Sequence, residues 1–258
     1  LVSVNKINKS VNSFPISRRI YLCMENPSIW HPSVDFLAHF GIILTPFPDI
    51  YQKIAPSSIV ITSFPCVPWF YDIEFSTKSG LQHVPLKSNS ELYALESLQI
   101  PSKNKLISII LSSKSKGNGY QWRSQIASCL KSELGNMIDI YGFGHKPLAN
   151  KRDGIDPYLI TIVFENDTHP FYITEKLVDA VLGWASPIYC GSNSIEEILP
   201  NYKWRIPFGC DVVDAKTLII KYMKEIVLKP SILRTAREKV MERLNLFQEI
   251  PRVVKQLK

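Results

Sequence analysis

The chain has no uninterrupted apolar run of about 18 residues, so no membrane-spanning helix is expected. Its opening residues, Leu1-Val2-Ser3-Val4-Asn5-Lys6, lack the apolar core of a signal peptide, and there is no initiator Met, as in a piece of a longer chain. The cysteines Cys23, Cys66, Cys129, Cys190 and Cys210 are odd in number and contain no C-x-x-C pair. Neither a disulfide framework nor a zinc site is therefore expected, and a reducing, cytoplasmic setting fits best. No D-x-D occurs at Asp72-Ile73-Glu74, and His31, His39, His83, His145 and His169 show no ligand spacing, so no metal is expected. Blocks of like charge are missing too. The net charge is +7, but the lysines and arginines are dispersed and do not interleave with aromatics, which argues against nucleic acid. The excess suits an anionic ligand, or peripheral attachment to an anionic membrane.

What is present is an α/β rhythm, clearest in the second half. Lys105-Leu106-Ile107-Ser108-Ile109-Ile110-Leu111 reads as a buried strand. Trp122, Ile126, Leu130 and Leu134 recur at steps of four and predict a helix over 120–134. Ile138-Asp139-Ile140-Tyr141-Gly142 and Leu159–Phe164 are further strands, followed by a helix over 173–184 and a strand at 187–190. Strands alternating with helices imply a parallel sheet. In the first half, Ile20–Met24, Ile42–Leu44 and Ser58–Thr62 are shorter strand candidates, residues 1–17 read as a mobile lead-in, and 76–104 as a connector. The expected division is an N-terminal unit over 1–100, a second over 101–230, and a C-terminal helical segment over 231–258.

The densest signal runs from Phe164-Glu165-Asn166 to Tyr172-Ile173-Thr174-Glu175-Lys176. It places polar groups between a strand end and the next helix start, where free N–H groups and the helix dipole favour an anion. With Ser186-Pro187-Ile188-Tyr189-Cys190-Gly191, these blocks resemble the donor-site signature of family-10 glycosyltransferases, the α-1,3/α-1,4-fucosyltransferases, in order and spacing. The resemblance implies an α/β, GT-B-like fold with two Rossmann-like halves facing a cleft. It further implies that the final helix returns to the first domain. The implied reaction is an inverting transfer of fucose from GDP-fucose to a GlcNAc- or glucose-bearing glycan, by an enzyme of bacterial or viral type. The implied partners are a GDP-sugar donor and a glycan acceptor, with no cofactor beyond the donor substrate.

The individual residues carry two readings each. Lys176, in the first turn of a helix whose dipole disfavours a cation, is either a solvated surface lysine or a diphosphate contact. Glu175 either complements the helix N-terminus or, by resemblance, accepts hydrogen bonds from ribose hydroxyls. Asn166 is a turn former or a donor contact, and Tyr172 is core or lines the donor pocket. Arg123, early in its helix, is an exposed arginine or a second cation for the leaving diphosphate. Tyr141, with Gly142 and Phe143, is placed where a base could lodge. Glu25, in Glu25-Asn26-Pro27 at a strand end, is the candidate general base, with Glu74 its rival. Three further readings stay open: another nucleotide-sugar as donor, a catalytically silent binding module, and a basic nucleic-acid-binding protein.

Overall fold

The structure is a computed structural model and describes residues 2–3, 11, 13–65, 71, 75–76, 80–81, 100–111, 118–142 and 144–256. Glu74, Cys66 and Phe143 lie outside the described residues. Two parallel four-stranded sheets organise the chain, in strand orders β1-β2-β3-β4 and β10-β9-β7-β8.

The first sheet comprises β1 (Val2–Ser3), β2 (Ile20–Leu22), β3 (Ile42–Thr45) and β4 (Ile59–Thr62). Helices α1 (Val34–Leu37) and α2 (Pro48–Ile54) connect β2 to β3 and β3 to β4. Alternate residues sort by face, as a period of two requires. Tyr21, Cys23 and Ile43 pack with Leu37, Phe40 and Tyr51, while Ile20, Leu22, Ile42 and Leu44 point the other way. Val2 and Ser3, within the stretch expected to be a mobile lead-in, pair in parallel with Ile20 and Tyr21. Polar composition did not prevent pairing, because the ladder is made by backbone groups. Two short strands, β5 (Phe75–Ser76) and β6 (Gly80–Leu81), pair antiparallel.

The second sheet comprises β7 (Lys105–Ile110), β8 (Ile138–Tyr141), β9 (Tyr158–Phe164) and β10 (Ser186–Cys190). Its helices are α3 (Asn118–Leu134), α4 (Glu175–Leu182), α5 (Val212–Glu225) and α6 (Pro230–Arg243). Ile160, Ile162, Phe164, Ile188 and Cys190 face α3 and α5. Val163 and Tyr189 face α4 and α6. The sheet is thus covered on both sides, which is why β9 reads as a continuous apolar run. α4 buries residues all round, from Leu177 to Leu182, including Asp179, whose carboxylate meets Lys151 Nζ at 2.5 Å. β8 and β9 flank β7 on opposite sides, so the strand order reverses at β7, and such reversals open a crevice at the carboxyl edge.

The last helix, α7 (Leu246–Gln256), lies on the free face of the first sheet, with Val253 fully buried among Ile20, Leu22, Ile42 and Leu44. Glu249 of α7 accepts a hydrogen bond from Ser63 Oγ at 2.9 Å just beyond β4. No helix among the described residues is long and apolar enough to cross a membrane.

Val253→Ala removes two buried methyl groups at this junction. It is expected to lower the unfolding free energy by about 2 kcal/mol, the transfer loss plus a small cavity. Urea denaturation measures this, and an unchanged midpoint would show that α7 does not hold the first sheet.

Candidate functional site

The site is built around Glu165, the residue that follows β9. Its side chain is 0% exposed. One carboxylate oxygen accepts from the Thr174 backbone N–H at 2.8 Å and the other from Thr174 Oγ1 at 2.6 Å. Strand end and helix start are thereby tied across eight intervening loop residues. Thr174 is the N-cap of α4, its hydroxyl accepting from the Lys176 N–H at 3.4 Å. Burial raises the Glu165 pKa, partly countered by Lys176 and by the Thr174 hydrogen bonds.

Lys176 is not a solvated surface lysine. Its Nζ lies 2.9 Å from Thr174 Oγ1, 3.1 Å from Glu175 Oε1 and 3.6 Å from Glu165 Oε2, and its side chain is 27% exposed. Burial would lower its pKa, but Glu175 and Glu165 outweigh that and hold it above its ordinary value. Glu175 sits between two cations. Burial pushes its pKa upward, yet Lys176 and Lys151 bring it down to about 2.

A second pair of predicted residues meets at the same strand end. Arg123, 6% exposed on α3, donates to the Phe164 carbonyl at 3.3 Å and to Asn166 Oδ1 at 3.0 Å. Its guanidinium also lies over the Tyr120 ring, 4.5 Å from the centroid. The exposed-arginine reading therefore fails. Burial lowers the Arg123 pKa, with Tyr120 and Glu165 opposing, which is the sign expected of a cation whose anionic compensation is incomplete. Asn166 takes its hydrogen bond from this arginine in addition to turning the chain.

The Tyr172 and Tyr141 side chains are both buried in hydrophobic clusters. The Tyr172 side chain, 1% exposed, joins the first sheet's core with Tyr21, Phe40, Phe47 and Tyr51, its ring 5.4 Å from that of Phe47. Its pKa is raised, first by burial, and its hydroxyl feels the charges of Lys176, Glu165, Glu25 and Glu175. The Tyr141 ring is buried with Leu148 and Tyr158, and its hydroxyl lies 2.6 Å from that of Tyr158. That hydroxyl in turn donates to Asp139 at 2.5 Å. Tyr141 shares the carboxyl edge of the sheet with the cluster but is two strands from β9, with its ring turned inward.

Glu25 is half-buried in the loop between β2 and α1 and approaches from the first half. Its neighbour Asn26 donates from Nδ2 to Asp167 Oδ2, next to Asn166. Arg123 and Asn166 meet at the end of β9, Glu175 and Lys176 meet at the start of α4, and Glu25 is one residue from the Asn26 that reaches Asp167. Among the described residues no group of three or more His, Cys, Asp or Glu side chains is arranged to hold a metal ion.

Two participants were not picked out from sequence. Glu165 looked like a strand boundary, although a carboxylate directly after a mostly apolar strand is itself a signal of a buried, paired charge. Lys151 lies 24 residues before Glu175 and gave no local cue. Gly191 acquires its reason here. A Cβ on it would fall 2.5 Å from Tyr189 Oη and 2.7 Å from Glu165 Cγ, so the third motif block ends in glycine to leave room for the first.

Residues 100–205 match the family model described as glycosyltransferase family 10 (fucosyltransferase), C-terminal domain. This segment is similar to that family's C-terminal domain. It is 36% identical over 108 residues to the 3-galactosyl-N-acetylglucosaminide 4-alpha-L-fucosyltransferase of Bos taurus, covering 40% of this chain but 28% of that one. The chain therefore spans less than a third of this curated relative. Among solved structures, Anabaena HepE in complex with UDP and glucose superimposes with a TM-score of 0.53 at 10% identity, covering 93% of this chain and 71% of that one. TarM of S. aureus, solved with UDP, gives 0.54 at 8% identity, with 92% and 50% covered. At such identities the likeness is one of fold, and the fold is the two-unit α/β arrangement of GT-B glycosyltransferases.

Glu175 ties the cluster to pH. Its folded-state value of about 2 lies below its ordinary 4.5, so its stabilising contribution is complete above pH 4.5 and drains away as pH falls toward 2. Glu175→Gln should therefore lose stability less steeply than the parent across that window in urea titrations. Parallel curves would show that Lys176 and Lys151 do not hold this carboxylate.

Proposed function

We propose that the chain carries an inverting fucosyl transfer from GDP-fucose to a hydroxyl of a GlcNAc- or glucose-bearing glycan. The observation that carries this reading is the placement of Arg123–Asn166 and Thr174–Glu175–Lys176 at one strand end and the following helix start, with Glu25 adjoining the Asn26 that reaches Asp167. The match of residues 100–205 to the family-10 glycosyltransferase model supports it.

In this reading the diphosphate lies at the N-terminus of α4, against its free N–H groups and Lys176, with Arg123 from α3 on the other side of the crevice. Lys176 is already a fully charged donor, because two carboxylates hold its proton. An incoming diphosphate shares that ammonium with Glu175, whose second role is to accept from the ribose hydroxyls. Asn166, steered by Arg123, contacts the sugar or its phosphates. The acceptor oxygen attacks the anomeric carbon as its proton passes to the Glu25 carboxylate. The bond from that carbon to the phosphate oxygen breaks, and its electron pair leaves with GDP, where Arg123 and Lys176 stabilise the charge. This assigns the leaving group to side chains, and transfer that persists in EDTA is the corresponding expectation. The net charge of +7 fits peripheral association with an anionic membrane.

A thermal-shift titration with GDP, GDP-fucose, GDP-mannose, UDP and UDP-GlcNAc tests the reading. GDP and GDP-fucose are expected to stabilise the folded chain, and Lys176→Ala to weaken their apparent affinity at least about tenfold, about 1.4 kcal/mol. No response to guanine nucleotides would overturn the donor assignment. A UDP-selective response would move it to another nucleotide-sugar.

A further inference from the structure

We propose that Asn26 and Asp167 form a clasp between the two halves and that Asn26 is thereby a positioning residue for Glu25. This deepens the reading of the site given under Proposed function and rests on it for the role of Glu25, but the clasp itself does not depend on that reading.

The two residues are 141 positions apart and use their side chains in matching ways. Asn26 is 7% exposed. Its Oδ1 accepts from the Ser28 N–H at 2.7 Å and so fixes its own turn, while its carbonyl accepts from the N–H groups of Ile29 at 2.8 Å and Trp30 at 3.0 Å. Asp167 Oδ1 accepts from the His169 N–H at 2.6 Å and fixes the opposing turn. What remains on each side chain, Asn26 Nδ2 and Asp167 Oδ2, is joined across the gap. Each loop is therefore folded by one atom of the clasp residue and bridged by the other.

The neighbouring contacts run the same way. The His169 ring lies 4.7 Å from that of Phe47, and Tyr172 fills the first sheet's core. Glu25 immediately precedes Asn26, in a segment that is neither strand nor helix between Leu22 and Val34. Near it, the Cys23 thiol donates to the Glu25 backbone carbonyl at 3.3 Å. Asp167 immediately follows Asn166, which is bound to Arg123. One hydrogen bond thus connects the residue beside the candidate base with the residue beside the candidate donor grip. Reactions between two bound partners are sensitive to this distance, and a misplacement of about 1 Å can lower a rate by about a hundredfold.

The pair can be exchanged without changing its geometry. Asn26→Asp sets two carboxylates against each other and should lower kcat with GDP-fucose and a GlcNAc-terminated glycan at least about tenfold, while the GDP Kd from calorimetry stays within about twofold. The double variant N26D/D167N restores an amide facing a carboxylate, with both turns still satisfied. It should recover kcat to within about threefold of the parent.

Unfolding free energies of the parent, both single variants and the double variant form a parallel cycle that needs no activity. If N26D does not fold, Asn26→Ala and Asp167→Ala take its place in that cycle. Non-additive unfolding with rescue by the exchanged pair supports the proposal, and additive effects on stability and kcat overturn it. A parent that neither binds GDP nor transfers fucose would overturn the reading of the site instead, and the unfolding cycle would then decide the clasp alone.

Discussion

A carboxylate with no exposure is expensive unless it is paired and hydrogen-bonded, and Glu165 is both. Its two bonds to Thr174 and its proximity to Lys176 weld the end of β9 to the start of α4. The rest of the site is arranged around that weld. Thr174 can cap the helix because Glu165 holds it, and the negative charges of Glu175 and Glu165 favour the charged form of Lys176. Gly191 of β10's outgoing turn lacks a side chain because the Glu165 methylene occupies the space. The three motif blocks are therefore one packed object. Breaking the weld would leave a buried donor or a buried charge unanswered, at about 1–3 kcal/mol for each orphaned group.

The two halves meet through side chains that the second half lends to the first. Tyr172, inside the motif, completes a core whose other aromatics are Tyr21, Phe40, Phe47 and Tyr51 of the first half. The His169 ring packs against Phe47 at a tilt, and Asp167 reaches Asn26. The loop from Asn166 to Tyr172 thus serves two sheets. That arrangement suits a crevice in which the halves have to be held at a fixed separation.

Much of the second half could be read in the sequence. β7, β9 and β10 are mostly apolar because both sheet faces are covered, and α3 advertises its spacing through Trp122, Ile126, Leu130 and Leu134. The first half was less legible because its elements are short. β2 has three residues and α1 four, too few for a period to show, and β1 lies in a polar stretch whose pairing is made by backbone alone. At the site, Glu175 and Lys176 were visible through their place at a helix start. The Arg123–Asn166 bond joins residues 43 apart, and no local pattern reports it. The burial of Tyr172 was hidden for a related reason, since an aromatic in a binding motif and an aromatic in a core look alike until the neighbouring domain is known. Tyr141 had a strand-end position, but its hydroxyl found Tyr158 and its ring turned inward.

The return of α7 to the first sheet has a consequence for the order of assembly. One face of β2 and β3 is covered by residues that lie more than 200 positions further along the chain. On a ribosome the first sheet is synthesised early but keeps Ile20, Leu22, Ile42 and Leu44 uncovered until Val253 emerges. The second sheet has its covering helices α3 to α6 close behind its strands and can close first. The unit made first is thus the unit finished last, and chaperone contact during synthesis would fall on that waiting face.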